Sequence, residues 1–543
     1  LELFLLNQGI RPKFYESEYN RYYEVAVFKN QELEEFTPDI VYICTTYRNI
    51  VRVPTITDSE KEIGELINDE AHKFYQIWES IKQEYNCPII QNNFEYPYFR
   101  LLGNKDRSDA HGVTNFITRL NAIIDKYAQN NKDFFVCDIN YLSASVGLTN
   151  WYDQRSWYMY KYAMSMDAIP YLAFNVSNII KSIFGKNKKG FILDLDNTLW
   201  GGIVGDDGVD NLILGPETPE GQAYLDFQKY IKEHQKRGLI LNIASKNEYE
   251  NAVAGLNHPN SMLKKEDFTI IKANWRPKSD NCVEIATELN LLPESLIFID
   301  DNPVEREIVT SQIQEMLSPE MNTIEQYINT IDKMGCFELT YFSNEDLKRN
   351  QMYKENLKRA ADIKNYVNYE AYLESLEMRA YIRTFEPIYY ARISQLTNKS
   401  NQFNLTTQRY SQVEIENFAK DNKYITLYAS LQDKFGDNGV VSAVIGEIIG
   451  NVCYIRLWLM SCRVLKRNLE FAMFDELIKI CKKRSIKTVV GYYYPTQKNK
   501  IVKEFWKDMG FEKVKFDTEG NTTWNFSIET DYTNRNKVIR VED

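Results

Sequence analysis

The chain has 543 residues, 44% of them hydrophobic and 26% charged, with a formal net charge of −11. That length is too great for one hydrophobic core and predicts about three or four domains. The acidic balance argues against a nucleic-acid partner, and no apolar run approaches the ~20 residues of a membrane span, so neither partner is expected. Eight cysteines without a Cys-x-x-Cys pair fit free thiols in a reducing cytoplasm. Four scattered histidines offer no histidine-based metal cluster.

Residues 1–185 predict an α/β domain. Short apolar strands at Ile40–Cys44 and Phe134–Asp138 alternate with helical segments at Ser59–Glu84 and Val113–Gln129, the pattern of a doubly wound sheet.

The run from Phe191 to Leu193 reads as a buried parallel strand ending in two acids, Asp194 and Asp196. Ligands of open α/β sheets bind at the carboxyl ends of the strands. A second strand, Gly238–Ala244, stops at Ser245-Lys246-Asn247, where a hydroxyl and helix-start N–H groups suit a phosphate. Asn274-Trp275-Arg276-Pro277-Lys278 then adds a fixed cation, and a third strand, Leu296–Ile299, opens onto Asp300-Asp301. Acids gathered on one mouth repel unless a hard divalent cation sits among them, and an all-oxygen set favours Mg²⁺. The segments between these motifs hold a glycine-rich hairpin at Gly201–Gly208 and one helix near Pro219–Arg237, too little for a large lid. An exposed mouth of that kind suits a bulky substrate or a lid from a neighbouring domain.

Residues 321–378 predict connecting helices at Asn344–Ile363 and Tyr369–Glu377. From 379 to 530 the order is a helix near Ile388–Leu396, strands Tyr424–Leu431, Val440–Ile449 and Val452–Met460, helix Leu469–Lys483, strand Thr488–Tyr494, helix Lys498–Met509 and a strand from Phe511. Turns are expected at Gly436–Gly439 and Gly450-Asn451. Residues 531–543 read as a tail.

Asp-x-Asp-x-Thr, then Ser, then Lys, then Asp-Asp resembles the four-motif pattern of the haloacid dehalogenase (HAD) phosphatase superfamily. The strings DLDNTLWGGIVGDDG from Asp194, Ser245-Lys246-Asn247, Asn274-Trp275 with Lys278, and DDNPVER from Asp300 resemble its FkbH-like branch. QNNFEYPYFRLLGN from Gln91 and QLTNKSNQFNLTTQRY from Gln395 resemble that branch's flanking segments. Members are associated with making glyceryl-carrier-protein units from 1,3-bisphosphoglycerate. The implied architecture is multidomain α/β: an SGNH-hydrolase-like or flavodoxin-like domain at 1–185, a HAD-like Rossmannoid parallel sheet at 186–320, the connector, and a GNAT-like α+β acyltransferase domain at 379–530.

The resemblance implies Asp194 as nucleophile and Asp196 as general acid and base. It implies Thr198, Ser245, Lys246, Asn247 and Lys278 around the phosphate, and around Mg²⁺ the Asp194 carboxylate, the Asp196 backbone carbonyl and the Asp301 side chain, with Asp300 close by or acting through water. In the first domain Asn92 or Asn93 would fill an SGNH asparagine position, but Asp153-Gln154-Arg155-Ser156 has no histidine and the nucleophilic serine has no counterpart, so a degenerate domain is expected. In the last domain the coenzyme A loop Arg-x-x-Gly-x-Gly/Ala becomes Arg463-Val464-Leu465-Lys466-Arg467-Asn468. Docking of a phosphopantetheine arm is the alternative to coenzyme A there. Cys462, flanked by Arg463 and Arg467, is a candidate acyl-transfer thiol against the ordinary role of a small core residue. The implied partners are a small phosphorylated substrate and an acyl carrier protein; a phosphatase whose flanking domains only bind a partner is the competing reading.

Overall fold

The computed structural model describes residues 1–28, 30–528 and 532–542. The chain is α/β and multidomain, and it divides into two compact units: Leu1–Phe184 with Glu338–Tyr341 and Ser411–Glu414, and Gly185–Phe337 with Phe342–Tyr410 and Ile415–Asp543. Among the described residues no helix is long and apolar enough to cross a membrane.

The first unit carries three parallel strands in the order β1 (Val41–Ile43), β2 (Ile89–Asn92), β3 (Phe134–Cys137). Helix α1 (Glu60–Glu84) starts where Ser59 and Glu62 exchange side-chain and backbone hydrogen bonds in a capping box. Its residues Ile63, Ile67, Phe74, Ile77, Trp78 and Ile81 recur at helical spacing and are buried with Phe116, Ile117, Leu120 and Ile124 of α2 (Val113–Asn130). Helix α3 (Ile169–Ile183) packs with Ile90 and Phe135 on the other face. Residues 338–341 return to this unit, with Tyr341 donating to Asp133 at 2.7 Å.

The second unit contains two sheets. The smaller is fully parallel, ordered β6 (Phe268–Ala273), β5 (Ile240–Ser245), β4 (Gly190–Leu193), β7 (Leu296–Ile299). Side chains of β4 alternate between two cores, as a central strand requires. Phe191 and Leu193 join Phe227 and Ile231 of α4 (Pro219–Lys236), whereas Ile192 joins Cys282 and Ile285 of α5 (Lys278–Glu288) and Val309 of α6 (Pro303–Gln312). Ile324, Tyr327, Ile331 and Phe337 share the core of Phe191, so this domain's packing continues past residue 320 into the stretch read as connector. Gly201–Gly208 forms no hairpin: Asp207 accepts from the Ile203 N–H at 2.8 Å and closes a helical turn over Val204–Asp207.

The larger sheet follows from helices α7 (Arg349–Asp362) and α8 (Tyr390–Lys399) and strands β8 (Arg379–Arg383), β9 (Phe403–Asn404), β10 (Tyr424–Asp433), β11 (Gly436–Ile449), β12 (Val452–Met460), β13 (Thr488–Tyr493), β14 (Glu512–Phe516), β15 (Thr522–Ser527) and β16 (Arg540–Glu542), with α9 (Leu469–Lys483) between β12 and β13. The order is β14-β15-β13-β12-β11-β10-β8-β16, with β9 on β12. One face buries Trp458, Trp506 and Phe474 of α9, and the other covers Leu457 and Leu459 with Ile393 and Leu396 of α8. The first hairpin turns at Lys434-Phe435 rather than at Gly436–Gly439, because Asp433 accepts from the N–H groups of Phe435 (2.9 Å) and Gly436 (3.2 Å) and Asp433 pairs with Gly436. The expected boundary at 530/531 lies outside the described residues. Beyond it Tyr532 donates to Asp475 at 2.6 Å and β16 pairs in parallel with β8, so the segment read as a tail completes the sheet.

Helix α7 joins the two sheets. Its Tyr353 packs in the core of Ile192, and one turn and a half later Arg359 grips Asp433 through two hydrogen bonds of 2.8 and 2.7 Å. Arg467 reaches the same carboxylate at 3.0 Å, and the Asp433 side chain is fully buried. Removing the anion would strand two enclosed guanidinium groups. Asp433→Ala is therefore expected to cost on the order of 3–5 kcal/mol, measured as a lowered urea midpoint; a midpoint within error of the parent protein would contradict this reading.

Candidate functional site

Parallel strands β4, β5 and β7 end at one edge, which brings Asp194, Ser245 and Asp300 to a common mouth. Asp194 extends the β4 ladder by donating its N–H to the Ile299 carbonyl at 2.9 Å. The next residues leave the strand because Asn197 adopts a left-handed φ of 55°, tolerated by asparagine, and its side chain accepts from the Gly202 N–H at 2.9 Å.

Lys278, the first residue of α5, is nearly sealed and lies 3.1 Å from Asp194 and 2.7 Å from Asp300. Burial works against its charge, but the two carboxylates outweigh burial and raise the lysine pKa. Desolvation, then repulsion from Asp194, raises the pKa of both Asp300 and Asp301. Asp194, Asp300 and Asp301 each present an oxygen within 4.8 Å of the others. The buried Oδ1 of Asp194 has no hydrogen-bond partner, and such an orphaned anionic atom is costly unless a cation completes it. Three carboxylate oxygens around it fit Mg²⁺ in donor type.

Asp196 is held on both oxygens. Oδ1 accepts from Trp200 Nε1 (2.9 Å) and the Val204 N–H (3.1 Å), and Oδ2 accepts from Asn247 Nδ2 (2.9 Å). Burial leads the causes that raise its pKa, which favours a proton-carrying acid. Its side chain is not in the cluster of Asp194, Asp300 and Asp301, because its oxygens are committed to these donors.

The expected phosphate ligands separate into two kinds. Ser245, at the end of β5, is buried, and its hydroxyl has no protein partner among the described residues. Thr198, fully buried, instead receives the Asp301 N–H at 3.1 Å and donates to Asp301 Oδ1 at 3.4 Å, so it positions a carboxylate. Asn247 orients Asp196, and the Lys246 ammonium is drawn 2.5 Å from Glu305. Trp200 and Arg306 were not expected at the site. Arg306 donates to the carbonyls of Asp300 (2.8 Å) and Asp301 (2.7 Å) and fixes the loop; its place in DDNPVER was the available signal.

The other candidates lie elsewhere. Asn92 donates to the Thr45 carbonyl at 3.0 Å and Asn93 to Asp138 at 2.7 Å, while Asp153 caps a helix through the N–H groups of Arg155 and Ser156. These are structural hydrogen bonds. Lys466 and Asn468 both take left-handed φ values, 64° and 63°, as the glycines they replace would without side-chain cost. Arg467 is consumed by Asp433, Asn356 and the Arg463 carbonyl. Cys462 does not join Asp194. Its carbonyl accepts from Asn290, past the far end of α5, and α5 spans about 15 Å from Lys278, so Cys462 lies toward the opposite edge of the small sheet.

Residues 5–181 match the model of the FkbH N-terminal domain. No curated protein matches the chain. The N-terminal part of the protein BF1531 from Bacteroides fragilis, solved with a phosphatase domain complexed with Mg, is similar at 28% identity over 62% of this chain and 89% of that one, with a TM-score of 0.58. Residues 185–337 have the fold and motif geometry of a HAD-type phosphatase domain. Among the other solved structures, ribosomal-protein-S18-alanine N-acetyltransferase from Escherichia coli is 12% identical over 29% of this chain and 99% of its own, with a TM-score of 0.23. The PaiA N-acetyltransferase from Thermoplasma acidophilum, solved with coenzyme A, is 17% identical over 27% and 98%, with a TM-score of 0.21.

Because Thr198 holds Asp301, Thr198→Val is expected to weaken Mg²⁺ binding by roughly 10- to 100-fold, read by calorimetric titration. Unchanged Mg²⁺ affinity would return Thr198 to the phosphate.

Proposed function

We propose that the chain is a Mg²⁺-dependent HAD-type phosphatase of the FkbH-like kind, which dephosphorylates a phosphoglyceryl substrate and loads the acyl group on a carrier-protein thiol. The observation that carries the phosphatase part is the convergence of Asp194, Asp300 and Asp301 on the unpartnered Asp194 oxygen, with Lys278 bridging Asp194 and Asp300.

Asp194, Asp300 and Asp301 would hold the metal, which when bound offsets phosphoryl charge. A carboxylate oxygen of Asp194 attacks phosphorus and forms an aspartyl phosphate as the bond to the leaving oxygen breaks. Asp196, kept in place by Trp200, Val204 and Asn247, gives that oxygen its proton. Asp196 then takes a proton from the water that attacks phosphorus, so the Asp194 carboxylate and phosphate are released. Lys278 and the free Ser245 hydroxyl face developing charge on the phosphoryl oxygens.

In the acyl-loading part, the Cys462 thiolate attacks the acyl-phosphate carbon of 1,3-bisphosphoglycerate, the C–O bond to the departing phosphate breaks, and the carrier thiolate then takes the acyl group from this thioester and releases the Cys462 thiolate. Its distance from Asp194 makes dephosphorylation and acyl transfer separate events within the second unit. The competing reading is a lone phosphatase whose flanking domains bind a partner.

Asp194→Asn is expected to abolish release of phosphate from a small aryl phosphate while the circular dichroism spectrum stays that of the parent; turnover near the parent level would remove Asp194 as nucleophile. With 1,3-bisphosphoglycerate, Mg²⁺ and a phosphopantetheinylated carrier, the parent protein should add a glyceryl mass to the carrier, and Cys462→Ala should lose that loading while still cleaving the aryl phosphate. A carrier that stays unloaded as phosphate is released would leave the lone-phosphatase reading.

A further inference from the structure

Away from the carboxylate mouth, the second unit gathers five cations with few acids among them. Lys189 precedes β4 and donates its N–H to the Ser295 carbonyl at 2.6 Å, which places it at the amino-terminal edge of the small sheet. Arg349 begins α7, Arg392 and Lys399 lie on α8, and Arg463 follows Cys462.

Two acids serve this group. Asp346 pairs with Arg349 and, at 3.4 Å, with Lys399, and also accepts from Gln395 at 3.2 Å. Glu345 stands 3.8 Å from Arg392 Nε, too long for a hydrogen bond, so that buried nitrogen is unpartnered. Lys189 has neither an ion pair nor a side-chain hydrogen bond among the described residues. Burial first, and then repulsion among the cations themselves, lowers the pKa of Lys189, Arg349 and Lys399 and brings Arg392 down to about 9. Yet the side chains of Arg349 and Lys399 retain 21% and 32% accessibility, so an anion from solvent can reach them. Like charges held together in this way are unfavourable until an anion joins them.

Cys462, half-buried, packs on the same core as the buried Tyr353, and its thiol interacts electrostatically with Lys189 and Arg349.

We propose that these cations form a second anion site, separate from the carboxylate mouth, which binds the phosphate group of a phosphate-bearing ligand beside Cys462. Planar guanidinium forks and compact ammonium groups from four segments suit a tetrahedral dianion better than a single carboxylate. The phosphate could belong to a free phosphorylated metabolite or to the phosphodiester of a pantetheine arm. Only the use of the site in acyl loading rests on the function proposed above; the anion site itself does not.

The test uses the full chain in EDTA, both as the parent and as Asp194→Asn, so that phosphatase turnover plays no part. Cysteines are alkylated with iodoacetate or with iodoacetamide, and rates are read by peptide mapping, with the exposed Cys44 as internal reference. The iodoacetate-to-iodoacetamide rate ratio at Cys462 should exceed that at Cys44 by about tenfold or more, the local enrichment a cationic cleft gives an anion. Inorganic phosphate should protect Cys462 and leave Cys44 untouched. Stronger protection by 3-phosphoglycerate than by 4′-phosphopantetheine identifies a metabolite, and the reverse identifies the carrier arm. Lys189→Met should bring the ratio down several-fold and Lys189→Arg should retain it; if Lys189→Met fails to fold by circular dichroism, Lys399→Gln takes its place. Equal ratios at Cys462 and Cys44 with no protection by phosphate would overturn the site, whatever the outcome for Asp194.

Discussion

The small sheet's mouth depends on one electrostatic arrangement: the Lys278 ammonium set between Asp194 and Asp300. Without it, burying two carboxylates a few ångströms apart would be prohibitive, because desolvation and mutual repulsion act in the same direction. One cation against three acids still leaves negative charge in excess, and that excess favours a divalent metal, whose charge with that of Lys278 would in turn attract a phosphoryl group. The fold supports the arrangement mechanically. Parallel pairing of β4 with β5 and β7 sets Asp194 and Asp300 at equal height, and α5 starts at Lys278 so that its first side chain points into the mouth.

Around that centre, polar side chains divide between touching substrate and holding those that do. Trp200, Val204 and Asn247 keep Asp196 in one orientation, and Thr198 with Arg306 fixes the Asp300-Asp301 turn. Such supporting bonds keep carboxylates poised without reorganisation when charge develops. The Ser245 hydroxyl has no protein hydrogen-bond partner among the described residues.

The larger sheet is tied to the small one through α7, whose Tyr353 packs on the phosphatase core while Arg359 binds Asp433. This suture has a chemical consequence, because it consumes Arg467, one of the cations flanking Cys462 in sequence, and leaves Arg463 among a different set that includes Lys189, Arg349, Arg392 and Lys399. Lys189 and Asp194 thus lie at opposite ends of the same strand, β4, the one near the other cations and the other among the acids.

Much of the site was legible because its residues follow strand ends. An apolar run stopped by acids, as at Leu193-Asp194 and Ile299-Asp300, marks both the strand and the edge at which chemistry sits, so Asp194, Ser245, Asp300 and Asp301 read as strand-end residues, while Lys278 was singled out by the resemblance to the HAD motif pattern. Lys466 and Asn468 show the limit of such rules, for they adopt the left-handed backbone that glycine would have signalled. The roles of Thr198, Asn247 and Lys246 depended on which neighbour lay nearest in space, and Asp301, Asp196 and Glu305 are separated from them by tens of residues or more in the chain. The same holds for the last strand, which pairs with β8 across more than 150 residues. Local sequence determines where strands end and which acids end them; only tertiary packing decides which donor each acid meets, because burial makes every such partner a long-range choice.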